Sequence, residues 1–450
     1  MTQTIDEKLE ETTKKAVEEI RKRGLKGDVY TAKGRSVSHS IEKGEIKDSS
    51  EYEEAGLGIR VIKDGKIGFG YCTPGNVEKG VKRAVDLSSF SKKLDIELPS
   101  KDEKIDVEVY DDEIEEAMGS SGIELTQEMI EGCSSVKDDI SPTRGGLNIS
   151  VGTKIVGNTE GVLLKDKGSM ISGSVTATLS KEETSLQAHE IGAARRFDLD
   201  FTDIGGKAGR KVDLMREASD KITGEYPVMI SSYALTQLIG FGLIPALIGE
   251  NVRKGKSVYE GKMGEKVASS NLIFKDDPTV DWGIGSGGFD DEGVKSKTTR
   301  LISDGVLQNF LYDLKEGMES DRESTGNGIR SSFKTPPATQ ARNIVLRGED
   351  KNVEDLLPDK GIYVDDVLGA HTANPVSGDF SVVTNPVWQV ENGEKKGRID
   401  GLMISGNLPE VLNDIVLGED YKRCFMAIGS HEVIMDTPSA RIEKMTLSSK

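Results

Sequence analysis

The chain has 450 residues, 59 of them Lys or Arg and 77 Asp or Glu, for a formal net charge of -18 at pH 7. That length suits two domains, each with a core of its own, and the negative balance argues against a nucleic-acid partner held through its phosphates. Three cysteines, Cys72, Cys133 and Cys424, form no C-x-x-C and lie far apart, which suits a reducing, cytoplasmic setting.

The opening residues "MTQTIDEKLEETTKKAVEEI" lack the apolar core of a signal peptide, and their periodicity predicts an amphipathic helix over 5–23. A hairpin follows over 58–71, turning at Asp64-Gly65, because Asp-Gly tolerates positive φ at both central positions. Helices are expected over 76–90 and, in two pieces, over 111–136. The charged stretch 91–114 between them reads as a solvated excursion. Residues 153–166 read as a second hairpin, 184–190 as a strand, and 205–221 as a helix.

The composition then shifts, and a boundary near 222–225 divides the chain into an N-terminal α+β domain, 1–222, and a β-rich C-terminal domain, 223–450. The segment from Tyr226 to Gly249 carries no charge, but Ser231, Ser232, Thr236 and Gln237 interrupt it and Pro245 breaks helical hydrogen bonding. It reads as a buried strand leading into a buried helix over 233–249, and no membrane span is expected. Two more hairpins are marked by Asp304-Gly305 (298–313) and Asn392-Gly393 (387–399). Helices and hairpins come in blocks, which points to α+β with mixed helices and antiparallel sheets over a doubly wound sheet.

Four local patterns carry chemistry worth weighing. "AHEIGAARR" (188–196) opens like a zinc-protease helix at His189-Glu190, yet Ala193 and Ala194 stand where a second histidine would complete the metal face, so His189 reads as a structural or surface residue. "GIGSGG" satisfies G-x-G-x-x-G through Gly283, Gly285 and Gly288 without the following helix that a dinucleotide needs. Its glycines, Gly285, Gly287 and Gly288, are read as a tight backbone path that could border a groove. Asp290, Asp291 and Glu292 offer oxygen ligands for a hard cation, against the plainer reading of a solvated loop. "GAHTANPVSGDF" brings His371 and Asp379 near Asp365 and Asp366 in sequence, a possible hydrolase set or simply a loop of fixed turns.

Four longer stretches resemble the TldD/PmbA family, also called modulators of DNA gyrase. They are "EEAGLGIRVIKDGKIGFGYCTPGNVEKGVKRAVDLS" (53–88), "FDDEGVKSKTTRLISDGVLQNFLYDL" (289–314), "GAHTANPVSGDFSV" (369–382) and "ISGNLPEVLNDIVLGED" (404–420). The resemblance implies a subunit of a cytoplasmic zinc metalloprotease acting on unfolded peptides. The family's catalytic branch carries His-Glu-x-x-x-His shortly before an Arg-Lys-Gly-x-Ser-Val segment, and a cysteine near the C-terminus.

Here Arg253-Lys254-Gly255-Lys256-Ser257-Val258 is present, and the overlay puts Thr236, Gln237 and Phe241 at the metal-motif positions. Ile428 falls at the cysteine's place, with Cys424 reachable through a gap. Thr236 is a poor ligand, Phe241 cannot coordinate, and Gln237 lacks an ionisable carboxylate. The resemblance is thus to the TldE/PmbA branch: no catalytic residue and no metal in this chain, zinc in a TldD-like partner, and a homo- or hetero-oligomer. Extended peptides could add to a free sheet edge. The alternative is a homo-oligomeric peptide-binding or gyrase-modulating protein without protease activity.

Overall fold

The structure, a computed structural model, describes residues 5–181, 184–428 and 431–449. Its first half is one antiparallel six-stranded sheet. Helix α1 (Ile5–Lys22) precedes β1 (Lys26–Glu42), β2 (Glu45–Lys63) and β3 (Lys66–Cys72); α2 (Val77–Ser88), α3 (Asp112–Glu116) and α4 (Ser121–Ser134) follow; then come β4 (Ile140–Asn158), β5 (Leu163–Lys181), β6 (Thr184–Ala194) and α5 (Phe201–Leu214). The strand order is β3-β2-β1-β4-β5-β6. Helices α1 and α2 bury Ala16, Ile20, Val81 and Ala84 against β1 to β3, while α4 and α5 bury Met129, Phe201 and Ala208 against β4 to β6.

The second half opens with β7 (Gly224–Ile230) and α6 (Ser232–Leu238), and its strands form a second six-stranded sheet, a ten-stranded sheet and a small two-stranded one. Strand outweighs helix, 41% to 24%, and several sheets are antiparallel, so the chain is an α+β protein of several domains. Among the described residues no helix is long and apolar enough to cross a membrane.

The X-Gly turns close as their chemistry requires. Asp64-Gly65, Asp304-Gly305 and Asn392-Gly393 all have positive φ at both positions, the geometry that matches strand twist. Lys43-Gly44 does the same between β1 and β2, a hairpin the sequence does not announce because lysine is no turn signal. On its second arm Lys47 to Glu53 of β2 are open to solvent, so no apolar alternation marks that strand.

Three expectations are corrected. The helix expected over 205–221 starts four residues earlier, because the Asp200 side chain caps it by accepting from Asp203 N at 2.8 Å, and it stops at Leu214, where the carbonyls of Met215 and Glu217 instead receive Arg398 donors. The helix expected over 233–249 is α-helical only to Leu238. It widens into a π turn at Ile239–Leu243 and tightens to a 3-10 turn at Ile244–Leu247, where Pro245 supplies no N–H. The stretch 91–114 is not merely solvated: Ile96, Leu98 and Val109 are buried. Its backbone also pairs with the second half, Ile105 N donating to Gly288 O at 3.3 Å and Trp282 N to Glu108 O at 2.7 Å.

That last contact explains the glycine loop. A Cβ on Gly288 would lie 2.4 Å from the Ile105 carbonyl, and one on Gly285 2.3 Å from that of Arg342. Only glycine permits such approach, and what approaches is the chain's own backbone. Nearby, the acidic trio is neither solvated nor free. Glu292 accepts from Arg60 Nη1 at 2.6 Å, Arg60 Nε donates to Asp28 at 2.6 Å, and Arg330 Nη2 reaches Asp28 at 2.9 Å. Asp291 takes Lys154 at 3.0 Å, and Asp290 accepts from the amides of Glu292, Val294 and Gly328, each at 2.9 Å. These carboxylates form an ionic clasp between the halves of the chain.

Candidate functional site

A second junction of the halves surrounds α6. Strand β7 delivers the chain to Ser231, whose hydroxyl caps α6 by accepting from Ala234 N at 3.1 Å. The helix is buried on nearly every side, which is why its sequence shows no polar face. Thr236 is fully buried and donates its hydroxyl to Ser232 O at 2.8 Å. Gln237 Nε2 donates to Asp366 Oδ1, an oxygen that also accepts from Val367 N at 2.7 Å. Phe241, on the π turn, is partly buried against the second-half core.

The other oxygen of Asp366 faces His189 Nδ1 at 3.4 Å, and the His189 ring meets Tyr233 of α6 edge-on at 5.4 Å. His189 comes from β6, where the register sets it opposite Thr176. The His-Glu pair is therefore no metal helix, yet neither is it a remote coincidence: sheet pairing carries it to the helix bearing the degenerate motif. Nothing local in the sequence signals this, because the contact depends on how two sheets meet. Beside it Lys211 Nζ, from α5, lies between Glu190 Oε2 at 2.7 Å and Asp365 Oδ2 at 2.6 Å.

His189, Glu190, Lys211, Tyr233 and Asp365 line a cavity of about 290 Å³, to which the strand Lys422–Ile428 contributes Lys422 and Cys424. Burial opposes the Lys211 charge, but Asp365 and Glu190 outweigh it and raise its pKa. Burial likewise raises Asp366 against the pull of His189 and Gln237. The Cys424 thiol, beside the Thr236 hydroxyl, is pushed up by burial to about 11, so it is a neutral thiol near pH 7.

That donor set does not suit a zinc ion. Zinc takes thiolate, neutral imidazole or carboxylate, most often four in a tetrahedron. Here Thr236 offers a hydroxyl committed to backbone, Gln237 an amide committed to Asp366, Phe241 no donor, and Cys424 a protonated thiol. Among the described residues no three His, Cys, Asp or Glu side chains form a metal-holding group.

The remaining residues singled out from sequence lie elsewhere. His371 sits in an exposed 3-10 turn, Ala370–Thr372. Asp379 is bound to Asn407 Nδ2 at 2.9 Å, while Asp365 and Asp366 are engaged by Lys211, Gln237 and His189. Among the described residues no hydrogen bond or ion pair joins His371 to these carboxylates, so the hydrolase set is not assembled. Gly285 donates its N–H to Asn343 Oδ1 at 2.8 Å and Gly288 donates to Asp166 Oδ2 at 3.1 Å. Gly287 borders the Arg342 guanidinium. A cleft of about 520 Å³ passes that loop at Ser286, walled by β1, β4 and Arg330.

Comparison with known proteins gives a consistent result. The family models for the PmbA/TldA metallopeptidase match in three consecutive parts: domain 1 over residues 27–88, the central domain over 92–216 and the C-terminal domain over 223–449. An uncharacterized protein of Methanocaldococcus jannaschii is 27% identical over 405 residues, covering 88% of this chain and 92% of that one. The crystal structure of a putative modulator of a DNA gyrase from Thermotoga maritima superimposes with a TM-score of 0.87 at 26% identity, covering 98% of this chain and all (100%) of that one. TldE from Thermococcus kodakarensis gives 0.88 at 24% identity, with 98% and 100% covered, a likeness of fold.

Proposed function

Because the chain belongs to the PmbA/TldD metallopeptidase family, we propose that it is the TldE/PmbA-like subunit of a cytoplasmic zinc metalloprotease complex. In this reading it pairs with a TldD-like catalytic chain, helps enclose a chamber in which unfolded peptides are cut, and carries no zinc itself. The observation that supports this most is the commitment of Gln237. A general base must hold a carboxylate within reach of a metal-bound water, and Gln237 instead donates its amide to a buried carboxylate, Asp366.

Thr236 and Phe241 add nothing a metal prefers, and the protonated Cys424 would have to give up a proton against burial. The role left to this chain is architectural: surfaces that hold a partner and a peptide. Free sheet edges suit extended peptides, since main-chain hydrogen bonds bind with little sequence preference.

The test has two parts. Elemental analysis of chain purified without chelators or a metal-affinity tag should find no stoichiometric zinc. Mixing with a TldD-like chain that has the intact motif should yield a stable complex whose peptidase activity exceeds that of the partner alone. One tightly held zinc per chain, or an unchanged partner activity with no complex, would overturn the reading, the latter in favour of a homo-oligomeric binding protein.

A further inference from the structure

The cavity beside α6 has ionic groups that do not cancel where they stand. One ammonium, that of Lys211, serves two carboxylates, Glu190 at 2.7 Å and Asp365 at 2.6 Å. The two carboxylates carry one charge more than the ammonium between them, and the other cations of the lining, Lys422 apart, are engaged elsewhere, Lys207 and Arg210 by Asp203 and Arg423 by the Trp282 carbonyl. Lys422 lines the same cavity, and among the described residues no acidic side chain pairs with it. Ser232, only 3% exposed, lines the same cavity, and its hydroxyl has no hydrogen-bond partner. A buried hydroxyl left unpaired costs roughly 1–3 kcal/mol, so a native fold that keeps one beside a cavity has a use for it when the cavity is filled.

We propose that this cavity binds a small zwitterion, a free α-amino acid or a dipeptide. The α-ammonium sits at the Glu190–Asp365 pair, where its charge answers the second carboxylate. The α-carboxylate accepts from the Lys422 ammonium and the Ser232 hydroxyl, charge-assisted bonds that are the strong ones in such sites. Tyr233, held edge-on by His189, supplies an aromatic wall for the intervening atoms. The volume, about 290 Å³, is at the small end of ligand pockets and suits a ligand of one or two residues. The site needs neither a metal nor a catalytic partner, so it stands or falls apart from the proposed subunit role.

Titration calorimetry on the full chain at pH 7 tests this with L-alanyl-L-alanine as probe, and with its N-acetylated and its C-amidated forms. Saturable binding of the free dipeptide is expected, weakened by about tenfold or more when either end is capped, the loss of one charge-assisted contact. Lys422→Met should weaken the free dipeptide yet leave the C-amidated form unchanged, and Glu190→Gln should do the same for the N-acetylated form. Ser232→Ala should cost a few-fold. No binding of the free dipeptide at millimolar concentration, or equal binding of the capped forms, overturns the proposal. The capped ligands decide on the unaltered chain, so a variant that fails to fold does not blunt the test.

Discussion

Two charged junctions hold the halves of this protein together, and they are built on opposite principles. In the clasp, Arg60, Arg330 and Lys154 meet Asp28, Glu292 and Asp291, with Asp28, Glu292 and Arg330 at 0% side-chain exposure. The cations and carboxylates match, and the further acids Asp290 and Asp313 are pushed up to about 7 by burial first and by Glu292 second. Around α6, by contrast, one lysine serves two carboxylates, a second lysine has no acid among the described residues, and the side chains of Lys211, Glu190 and His189 keep 23%, 22% and 34% of their exposure. A junction whose buried charges are matched in number locks the two halves. One with valences to spare beside a cavity is where a ligand can be recognised.

The sharpest way to break the contrast is to remove a clasp cation. Arg330→Met leaves Asp28 with Arg60 alone and the clasp one cation short in a dry site, and urea unfolding should show a loss of roughly 3–5 kcal/mol; a loss under about 1 kcal/mol would mean that the clasp is not what holds the halves. The pH dependence comes next. An Asp290 carboxyl raised from 3.8 to about 7 favours the folded state below the unfolded value and loses that contribution as pH rises through the folded one. Asp290→Asn should therefore flatten the fall in stability between those limits by up to about 1.4 kcal/mol per pH unit, and identical slopes would contradict the shift.

At the other junction Lys211→Met leaves Glu190 and Asp365 facing each other with water near, so denaturation should register only about 1–2 kcal/mol. His189→Gln, which swaps a third-exposed partner of Asp366 for another donor, should change stability by less than about 1 kcal/mol. Were the α6 variants as damaging as Arg330→Met, the two junctions would not differ in kind.

Much of the secondary structure was legible because its causes are local. Asp64-Gly65, Asp304-Gly305 and Asn392-Gly393 announce their turns by residue type alone, and α1, α2 and α4 announce themselves by apolar spacing. The exposed part of β2 was not legible, since a strand with both faces wet has no alternation to read. The end of α5 at Leu214 was hidden because Arg398, far along the chain, takes the carbonyls that follow it.

At the candidate site, the chemistry of individual residues could be judged from the sequence: Thr236, Gln237 and Phe241 are weak or empty donors wherever they lie. Their company could not. His189, Glu190 and Lys211 come from the first half, Ser232, Asp365, Asp366 and Lys422 from the second, and the acidic trio that reads as a wet loop is buried, on Arg60, Lys154 and backbone amides. The sequence by itself determined local conformation and donor chemistry, which depend on a residue and its near neighbours. Which charges are matched, buried or left over was decided only by the packing of the two halves, because electrostatic pairing acts through space between residues that no sequence spacing relates.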